Sequence, residues 1–275
     1  MKTRIITAMV ALAAFIPVLI FSDTIAFPIV MGLLSAVAGY EMCGAAGTGK
    51  KWYVTVPTAV FCFGLSLIAG VELYHYIPLA VIAYGFYMLS LCVIAFPKVS
   101  AKSLMASTAM AVFAAFSFSC IVCLQRDFDT RYDYLLLFIC AWSTDTFAIF
   151  GGKFFGKHKL APNLSPKKTV EGMISGVVGA VLAFLVFALV LDYGFGKEPN
   201  YLKRLLLAVP GSLISQLGDL AASSIKRDCG IKDYGKLFPG HGGVMDRFDS
   251  VMFLSVAAYL YVFAESTVNR IIFLY

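Results

Sequence analysis

Long apolar segments separated by short polar turns run through almost the whole of this sequence. About nine of them contain roughly 17–25 predominantly apolar residues, the length that a helix needs to cross a bilayer. They cover residues 5–21, 25–43, 53–69, 75–96, 104–124, 134–150, 172–191, 204–225 and 250–268. This pattern predicts an all-α fold: a polytopic integral membrane bundle of about nine transmembrane helices.

The composition agrees with the pattern, because 60% of the 275 residues are apolar and only 14% are charged. Soluble domains are usually about 45–50% apolar and about 25% charged. A water-soluble enzyme, a disordered chain and a collagen-like fibre are therefore excluded. The first segment follows Lys2 and Arg4, as a signal peptide would, but the second begins at once with no clear cleavage motif between them. We therefore expect a retained helix.

The distribution of basic residues predicts the orientation of the bundle. The chain has 22 Lys and Arg against 16 Asp and Glu, a formal net charge of +6. A cytoplasmic N-terminus places most of the Lys and Arg residues on the inner side, as the positive-inside rule requires. Topology thus explains the excess charge, and nucleic-acid binding, which needs a basic patch on a soluble domain, is not expected.

Polar chemistry is concentrated in the second half of the chain. Residues 1–125 contain apolar spans with short loops, and we expect them to form a scaffold and a candidate oligomer interface. Residues 126–275 contain two long loops, 151–171 and 226–249, which the predicted topology places in the cytoplasm, and we expect them to form the catalytic region. His158, in the first of these loops, lacks a partner at metal-ligand spacing, and no role is expected for it.

One face of the predicted span 204–225 is polar. Ser212, Asp219 and Lys226 lie on this face, with further polar residues between them at intervals of three or four. A carboxylate at bilayer depth is costly unless it is paired, bound to a metal or in a water-filled cavity. The alternative is a structural pair between Asp219 and Lys226. Seven residues of helix span about 10 Å, which is long for direct contact between these two side chains. We therefore favour a functional site.

The loop 226–249 combines cations, glycines and carboxylates. Its basic residues and histidine are Lys226, Arg227, Lys232, Lys236, His241 and Arg247. Glycines such as Gly242 and Gly243 allow backbone N–H groups to approach an anion closely. Asp246 and Asp249 lie three residues apart and can share one cation. Oxygen ligands beside phosphates suit Mg²⁺ better than Zn²⁺. The alternative is a solvated loop of alternating charge.

A second group of polar residues surrounds the loop 151–171. Asp145 lies near the cytoplasmic end of its predicted span and has no nearby basic residue in its own helix. Ser165, Lys167 and Lys168 lie just before the next span, and lysines beside hydroxyls at a helix start are suited to binding phosphate. The alternative is a loop that is basic only because of its topology. Both loops together indicate phosphate chemistry with a divalent metal at the inner membrane face.

The motif from Ser224 to Asp249 reads SIKRDCGIKDYGKLFPGHGGVMDRFD. Along its whole length it resembles the characteristic pattern of the phosphatidate cytidylyltransferase family, also called CDP-diacylglycerol synthases. The upstream motifs that resemble the same family are Trp142-x-x-Asp145-Thr146, Ser165-Pro-Lys-Lys168-Thr and Glu171-Gly172. These motifs cover roughly the second half of the chain, and the first half agrees only as a bundle of membrane helices.

The resemblance implies that CTP and phosphatidate give CDP-diacylglycerol and pyrophosphate, by in-line attack of the lipid phosphate on the α-phosphorus of CTP. The catalytic residues expected on this basis are Asp219, Lys226, Arg227, Asp246, Arg247 and Asp249. The three aspartates are expected to hold Mg²⁺, with a second cation allowed, and the basic residues to bind phosphoryl oxygens.

The substrate-binding residues expected on the same basis are Asp145, Ser165, Lys167, Lys168, Ser223, Ser224, Lys232, Lys236, His241, Gly242 and Gly243. Lys167 and Lys168 are expected to hold the CTP tail, with Asp145 and Ser165 supporting the same pocket. We expect His241 to form a hydrogen bond with a phosphate rather than to act as a base.

Two other activities fit parts of the sequence. A CTP-dependent polyprenol kinase or another lipid cytidylyltransferase is the nearest alternative, and a kinase would release CDP instead of pyrophosphate. A transporter of a phosphorylated solute is less favoured, because the sequence has no internal repeat of the kind that builds such proteins. The expected location is the bacterial cytoplasmic (inner) membrane, with the active site facing the cytoplasm, and the resemblance is compatible with a homodimer.

Overall fold

The computed structural model describes residue 13 and residues 15–127 and 132–273. Within these ranges, eight helices are long and apolar enough to cross a membrane. Each of the eight covers one of the predicted spans from the second to the ninth, so the predicted helical membrane bundle is confirmed. The first predicted span, 5–21, lies mostly outside the described residues.

Short turns connect most of the long helices. The helices are α1 (Ala26–Ala45), α2 (Trp52–Gly70), α3 (Ile77–Ile94), α4 (Ala101–Asp127), α5 (Leu135–Phe155), α6 (Val170–Leu189), α7 (Tyr201–Asp228) and α8 (Met245–Phe273). A 3₁₀ turn, Tyr74–Tyr76, precedes α3, and a π-helical turn, Val190–Gly194, continues α6.

An antiparallel β-hairpin lies between α5 and α6, where the sequence pattern predicted only a loop. Strand β1 (Lys159–Ala161) pairs with β2 (Ser165–Thr169), and Ala161 lies opposite Ser165. The Leu164 N–H donates to the Ala161 carbonyl at 3.2 Å, which closes the turn. Pro162 then occupies the second position of this turn, where its fixed φ is favoured. Strands this short have too few residues for a recognisable alternation of polar and apolar side chains.

The first compact unit comprises Met1–Asp127 and Asp228–Phe248. Within it, α1, α2 and α4 pack against one another, and α3 packs against α2 and α4. Small residues allow the backbones to approach closely, as is common between membrane helices. For example, a methyl group on Gly39 of α1 would lie 2.7 Å from Cys62 Sγ of α2.

The second compact unit comprises Phe128–Arg227 and Asp249–Tyr275. Helices α5 and α6 pack along their length, and glycines of α6 face α5. A methyl group on Gly176 would lie 3.0 Å from the Thr144 carbonyl oxygen. Thr144 Oγ1 also donates to Ser212 Oγ at 2.9 Å, which ties α5 to α7. Close packing thus holds α5 against α6, and a buried hydroxyl pair joins α5 to α7, the helices that carry Asp145 and Asp219.

Large apolar side chains remain exposed on both units. Phe86 of α3 is 73% exposed and Ile149 of α5 is 69% exposed. Soluble monomers rarely expose extended apolar surfaces, whereas the same surfaces are stable against lipid tails. The exposed apolar faces therefore agree with the membrane spans.

Candidate active site

A cavity of about 440 Å³ lies within the second unit. It is formed by α5, the β-hairpin, the start of α6 and the middle of α7. Its lining residues are Asp145, Ala148, Ile149, Gly152, Lys153, Leu160, Lys167, Lys168, Thr169, Gly172, Met173, Gln216 and Asp219. The cavity brings together Asp145, Lys167, Lys168 and Asp219, four residues that the sequence predicted as site residues.

Lys168 and Asp219 form an ion pair on the cavity wall. The ammonium nitrogen of Lys168, on β2, lies 2.5 Å from Asp219 Oδ2, on α7. Asp219 also accepts a long hydrogen bond of 3.5 Å from Ser223 Oγ, one turn further along α7. In this pair the cation comes from the hairpin, whereas the sequence alternative takes it from Lys226 of the same helix.

Asp249 is another predicted carboxylate of this unit. It is only 8% exposed, and its Oδ1 accepts the Ser250 N–H at 2.7 Å. The charge of Asp249 interacts with those of Asp219, Asp145 and Lys226. Negative charges repel one another unless cations lie between them, and Lys226 supplies one such cation.

The turn before the hairpin is held by Glu171, in the first turn of α6. Its carboxylate accepts the Lys157 N–H at 3.0 Å and the His158 N–H at 3.2 Å, and it lies 2.6 Å from His158 Nδ1. Thr169 caps α6, since its Oγ1 accepts the Gly172 N–H at 3.1 Å. His158, for which the sequence indicated no role, is thus a hydrogen-bonding partner of Glu171 that helps to fix the hairpin.

In the first unit, the glycine-rich loop folds back on itself. Phe238 and Gly242 form an isolated antiparallel bridge, and Gly242 has a φ of +89°, a conformation that glycine adopts readily. Asp246 Oδ2 accepts the Tyr234 N–H at 2.8 Å and the Gly243 N–H at 3.0 Å. Asp246 therefore closes the loop from the first turn of α8.

Glu41, near the end of α1, contacts the same loop. Its two carboxylate oxygens accept the Val244 N–H at 3.0 Å and the Met245 N–H at 2.9 Å. The sequence indicated little chemistry before residue 126, so this residue was missed. The signal was nevertheless present, because a carboxylate near the end of an apolar span is costly without a partner.

The other predicted site residues fall on β2, the end of α7, the loop that follows it and the start of α8. Ser165 begins β2, and Ser223, Ser224, Lys226 and Arg227 lie in the last turns of α7. The remaining residues are in the first unit, on the loop and the start of α8: Lys232, Lys236, His241, Gly242, Gly243, Asp246 and Arg247. Within the described part of the chain, His241 Nδ1 is buried and has no hydrogen-bond partner.

Metal binding depends on how the carboxylates of the described residues are grouped. Within residues 15–126 and 132–267, no three His, Cys, Asp or Glu side chains are grouped so that they could hold a metal ion. Mg²⁺, however, is usually bound by only one or two carboxylates, with water and substrate phosphates completing its coordination. Asp219 and Asp249 supply oxygen ligands of this type, so the residues present fit a Mg²⁺ ion that is shared with a phosphorylated substrate.

Comparison with known proteins places these features in one family. The family model described as Cytidylyltransferase family matches residues 2–264. Proteins named phosphatidate cytidylyltransferase from Staphylococcus saprophyticus, Staphylococcus epidermidis and Staphylococcus aureus are 32%, 34% and 33% identical to this chain. Each alignment covers 92% of this chain and 96% of the relative. The match extends through both units, and the chain belongs to the cytidylyltransferase family.

Proposed function

We propose that this chain transfers the cytidylyl group of CTP to phosphatidate. An oxygen of the lipid phosphate forms a bond to the α-phosphorus of CTP, and the bond from that phosphorus to the oxygen bridging to the β-phosphate breaks. The products are CDP-diacylglycerol and pyrophosphate. Support comes from family membership and from the staphylococcal relatives, whose names state this activity.

The observation that carries the proposal is the convergence of lysines and aspartates in one cavity. Lys153, Lys167 and Lys168 line the same space as Asp145 and Asp219. A triphosphate needs several cationic contacts, and lysine ammonium groups provide them as point charges. The cavity volume of about 440 Å³ falls within the range of about 300–1,000 Å³ that is typical of small-molecule sites.

The proposed reaction does not need a strong general base. The second pKa of a phosphate monoester is about 6, so the attacking oxygen of phosphatidate is largely ionised near neutral pH. The protein must instead hold two anions together in line, and positioning and electrostatic stabilisation supply most of the catalysis in such reactions. Lys167 and Lys168 would bind the triphosphate, and Lys226 and Arg227 would bind phosphoryl oxygens from the end of α7.

Asp219 and Asp249 would hold Mg²⁺. When bound, this ion would neutralise charge on the phosphates and on the departing pyrophosphate. Lys168 pairs with Asp219 Oδ2. Because a carboxylate has two oxygens and an ammonium group three donors, Asp219 would hold the ion and Lys168 would contact the triphosphate beside it. Asp246 remains a predicted ligand from its position three residues before Asp249, although its Oδ2 already accepts two backbone N–H groups.

The location of the reaction belongs to the same proposal. We place the site at the cytoplasmic face of the inner membrane, because the positive-inside rule assigns the basic loops to that side and CTP is a cytoplasmic metabolite.

A homodimer is compatible with the family, and cross-linking of the purified protein would test it.

Isotope-labelled CTP tests the reaction directly. Purified protein in detergent is given phosphatidate, Mg²⁺ and CTP labelled either at the α- or at the γ-phosphorus. We expect the α-label in the lipid product and the γ-label in pyrophosphate, and we expect EDTA to stop both. As a matched variant, Lys102→Gln changes an exposed lysine of α4 outside the proposed site and should behave like the wild type.

Other outcomes would contradict the proposal in distinct ways. Transfer of the γ-label to a lipid acceptor, with release of CDP, would identify a kinase. Movement of a labelled phosphate compound across vesicles without any covalent change would identify a transporter.

A further inference from the structure

We infer that Glu41 is a positioning residue for the cytidylyl transfer. It fixes the start of α8 and thereby the positions of Asp246 and Arg247. This inference rests on the proposed function for its chemical meaning. The contacts that carry it all lie within the first unit, between the end of α1 and the loop 234–246.

The start of α8 has no cap of its own. The Arg247 and Phe248 N–H groups both donate to the Val244 carbonyl at 3.0 Å, which makes Val244 the N-cap residue. Valine is among the poorest N-cap residues, because its side chain has no acceptor for the free N–H groups. The first N–H groups of a helix need partners from elsewhere when they are buried, and both Val244 and Met245 are buried.

Glu41 supplies those partners from another helix. Oε1 accepts the Val244 N–H at 3.0 Å, and Oε2 accepts the Met245 N–H at 2.9 Å. Glu41 is only 5% exposed, so its charge would be strongly unfavourable without compensation. Two N–H donors and the positive end of the α8 dipole provide that compensation.

The loop is shaped to admit the Glu41 carboxylate. A methyl group on either Gly235 or Gly243 would overlap the carboxylate atoms. Both glycines therefore leave space that the acid fills. Asp246 fastens the same turn from the opposite side, through the N–H groups of Tyr234 and Gly243.

This arrangement determines what the helix start can do. Free N–H groups at a helix start attract phosphate. Here the N–H groups of Val244 and Met245 are bonded to Glu41 instead. The contribution of this segment to the reaction is thus the direction in which the side chains of Asp246 and Arg247 leave α8. A misplacement of about 1 Å in such groups can lower the rate by about 100-fold.

The test compares Glu41→Gln with Glu72→Gln, an exposed acid of the same unit that pairs with Arg126. Glutamine keeps the size of Glu41, but its amide group turns a donor towards one of the two N–H groups. We expect kcat to fall about 10- to 100-fold, while KM for CTP stays within about threefold because the triphosphate site lies in the second unit. Hydrogen–deuterium exchange should rise in peptides covering 234–248 and stay unchanged elsewhere.

A second variant disturbs the same contact from the loop side. Gly235→Ala keeps Glu41 but places a methyl group against its carboxylate, and we expect the same loss of kcat and the same local rise in exchange. If Glu41→Gln cannot be purified in a folded state, Gly235→Ala decides the question.

Three results would overturn the inference. They are wild-type kcat in both variants, unchanged exchange over 234–248, and a rise in exchange throughout the first unit, which would mark a general structural role. The proposed function is judged separately by the wild-type protein. If the wild type forms no CDP-diacylglycerol, that function fails, whereas local exchange still reports whether Glu41 caps α8.

Discussion

Lys168 Nζ lies 2.5 Å from Asp219 Oδ2, so a cation on the hairpin and a carboxylate on α7 neutralise each other on the cavity wall. The two side chains are 25% and 29% exposed, and both therefore remain accessible from the cavity. In the proposed reaction each would take a further partner: Lys168 would bind triphosphate and Asp219 would hold Mg²⁺. The ion pair would thus lie where CTP and its metal bind together.

Replacement of Lys168 should weaken the use of CTP. A hydrogen bond to a charged group contributes about 1.5–3 kcal/mol, and 1.4 kcal/mol corresponds to a factor of ten. We therefore expect Lys168→Gln to lower kcat/KM for CTP about 10- to 100-fold, mainly through KM, and Lys168→Arg to retain more activity. Steady-state kinetics with Lys102→Gln as the control measures this, and a wild-type kcat/KM in Lys168→Gln would remove Lys168 from the triphosphate site.

Removal of the metal or of its proposed ligands should stop turnover. We expect EDTA to abolish activity and added Mg²⁺ to restore it, because the two reacting anions repel each other strongly without a cation. Asp219→Asn and Asp249→Asn should each lower kcat by about 100-fold or more. Mn²⁺ binding in the presence of CTP, followed by electron paramagnetic resonance, should weaken in both variants.

The matched control for these variants is Asp23→Asn, which changes an exposed aspartate outside the proposed site. Near-normal turnover and Mn²⁺ binding in both Asp219→Asn and Asp249→Asn would contradict the assignment of the metal to these residues.

Loss of the Glu171 contacts should loosen the hairpin. Glu171→Gln weakens the hydrogen bond with the His158 ring and the bonds to the N–H groups of residues 157 and 158. Because this turn leads into the strands that carry Lys167 and Lys168, we expect KM for CTP to rise several-fold with a smaller change in kcat. Trypsin should also cleave faster after Lys157 and Lys159. Glu198→Gln, at an exposed acid of the same unit, should change neither quantity, and unchanged cleavage in Glu171→Gln would argue against this role.

The membrane helices could be predicted because a single physical constraint determines them. A span must bury about 20 apolar residues in hydrocarbon, and that requirement is visible in any contiguous stretch of sequence. The same reasoning identified Asp145 and Asp219, since a carboxylate within an apolar span must have a partner or a ligand. Both line the cavity, as do the predicted lysines Lys167 and Lys168.

The partners of these residues could not be predicted, because tertiary packing selects them. Lys168 and Asp219 are far apart along the chain, and the neighbouring candidate Lys226 was the only partner that helix periodicity suggested. Glu41 lies about 200 residues before the N–H groups that it binds. Its position near the end of an apolar span was a signal that this carboxylate needs a partner, but only the fold identifies the start of α8 as that partner.

A buried ion pair far from the proposed chemistry should control stability more than an exposed one. Arg204 of α7 and Asp133 lie 2.6 Å apart, with side chains only 8% and 7% exposed. Removing one partner of a buried pair leaves an uncompensated charge and costs about 3–5 kcal/mol, whereas an exposed pair contributes about 1 kcal/mol or less. We therefore expect Asp133→Asn to lower the thermal unfolding midpoint in detergent clearly more than Glu72→Gln, which breaks the exposed pair with Arg126. Equal midpoints in the two variants would mean that Arg204 finds another partner or reaches water once Asp133 is replaced.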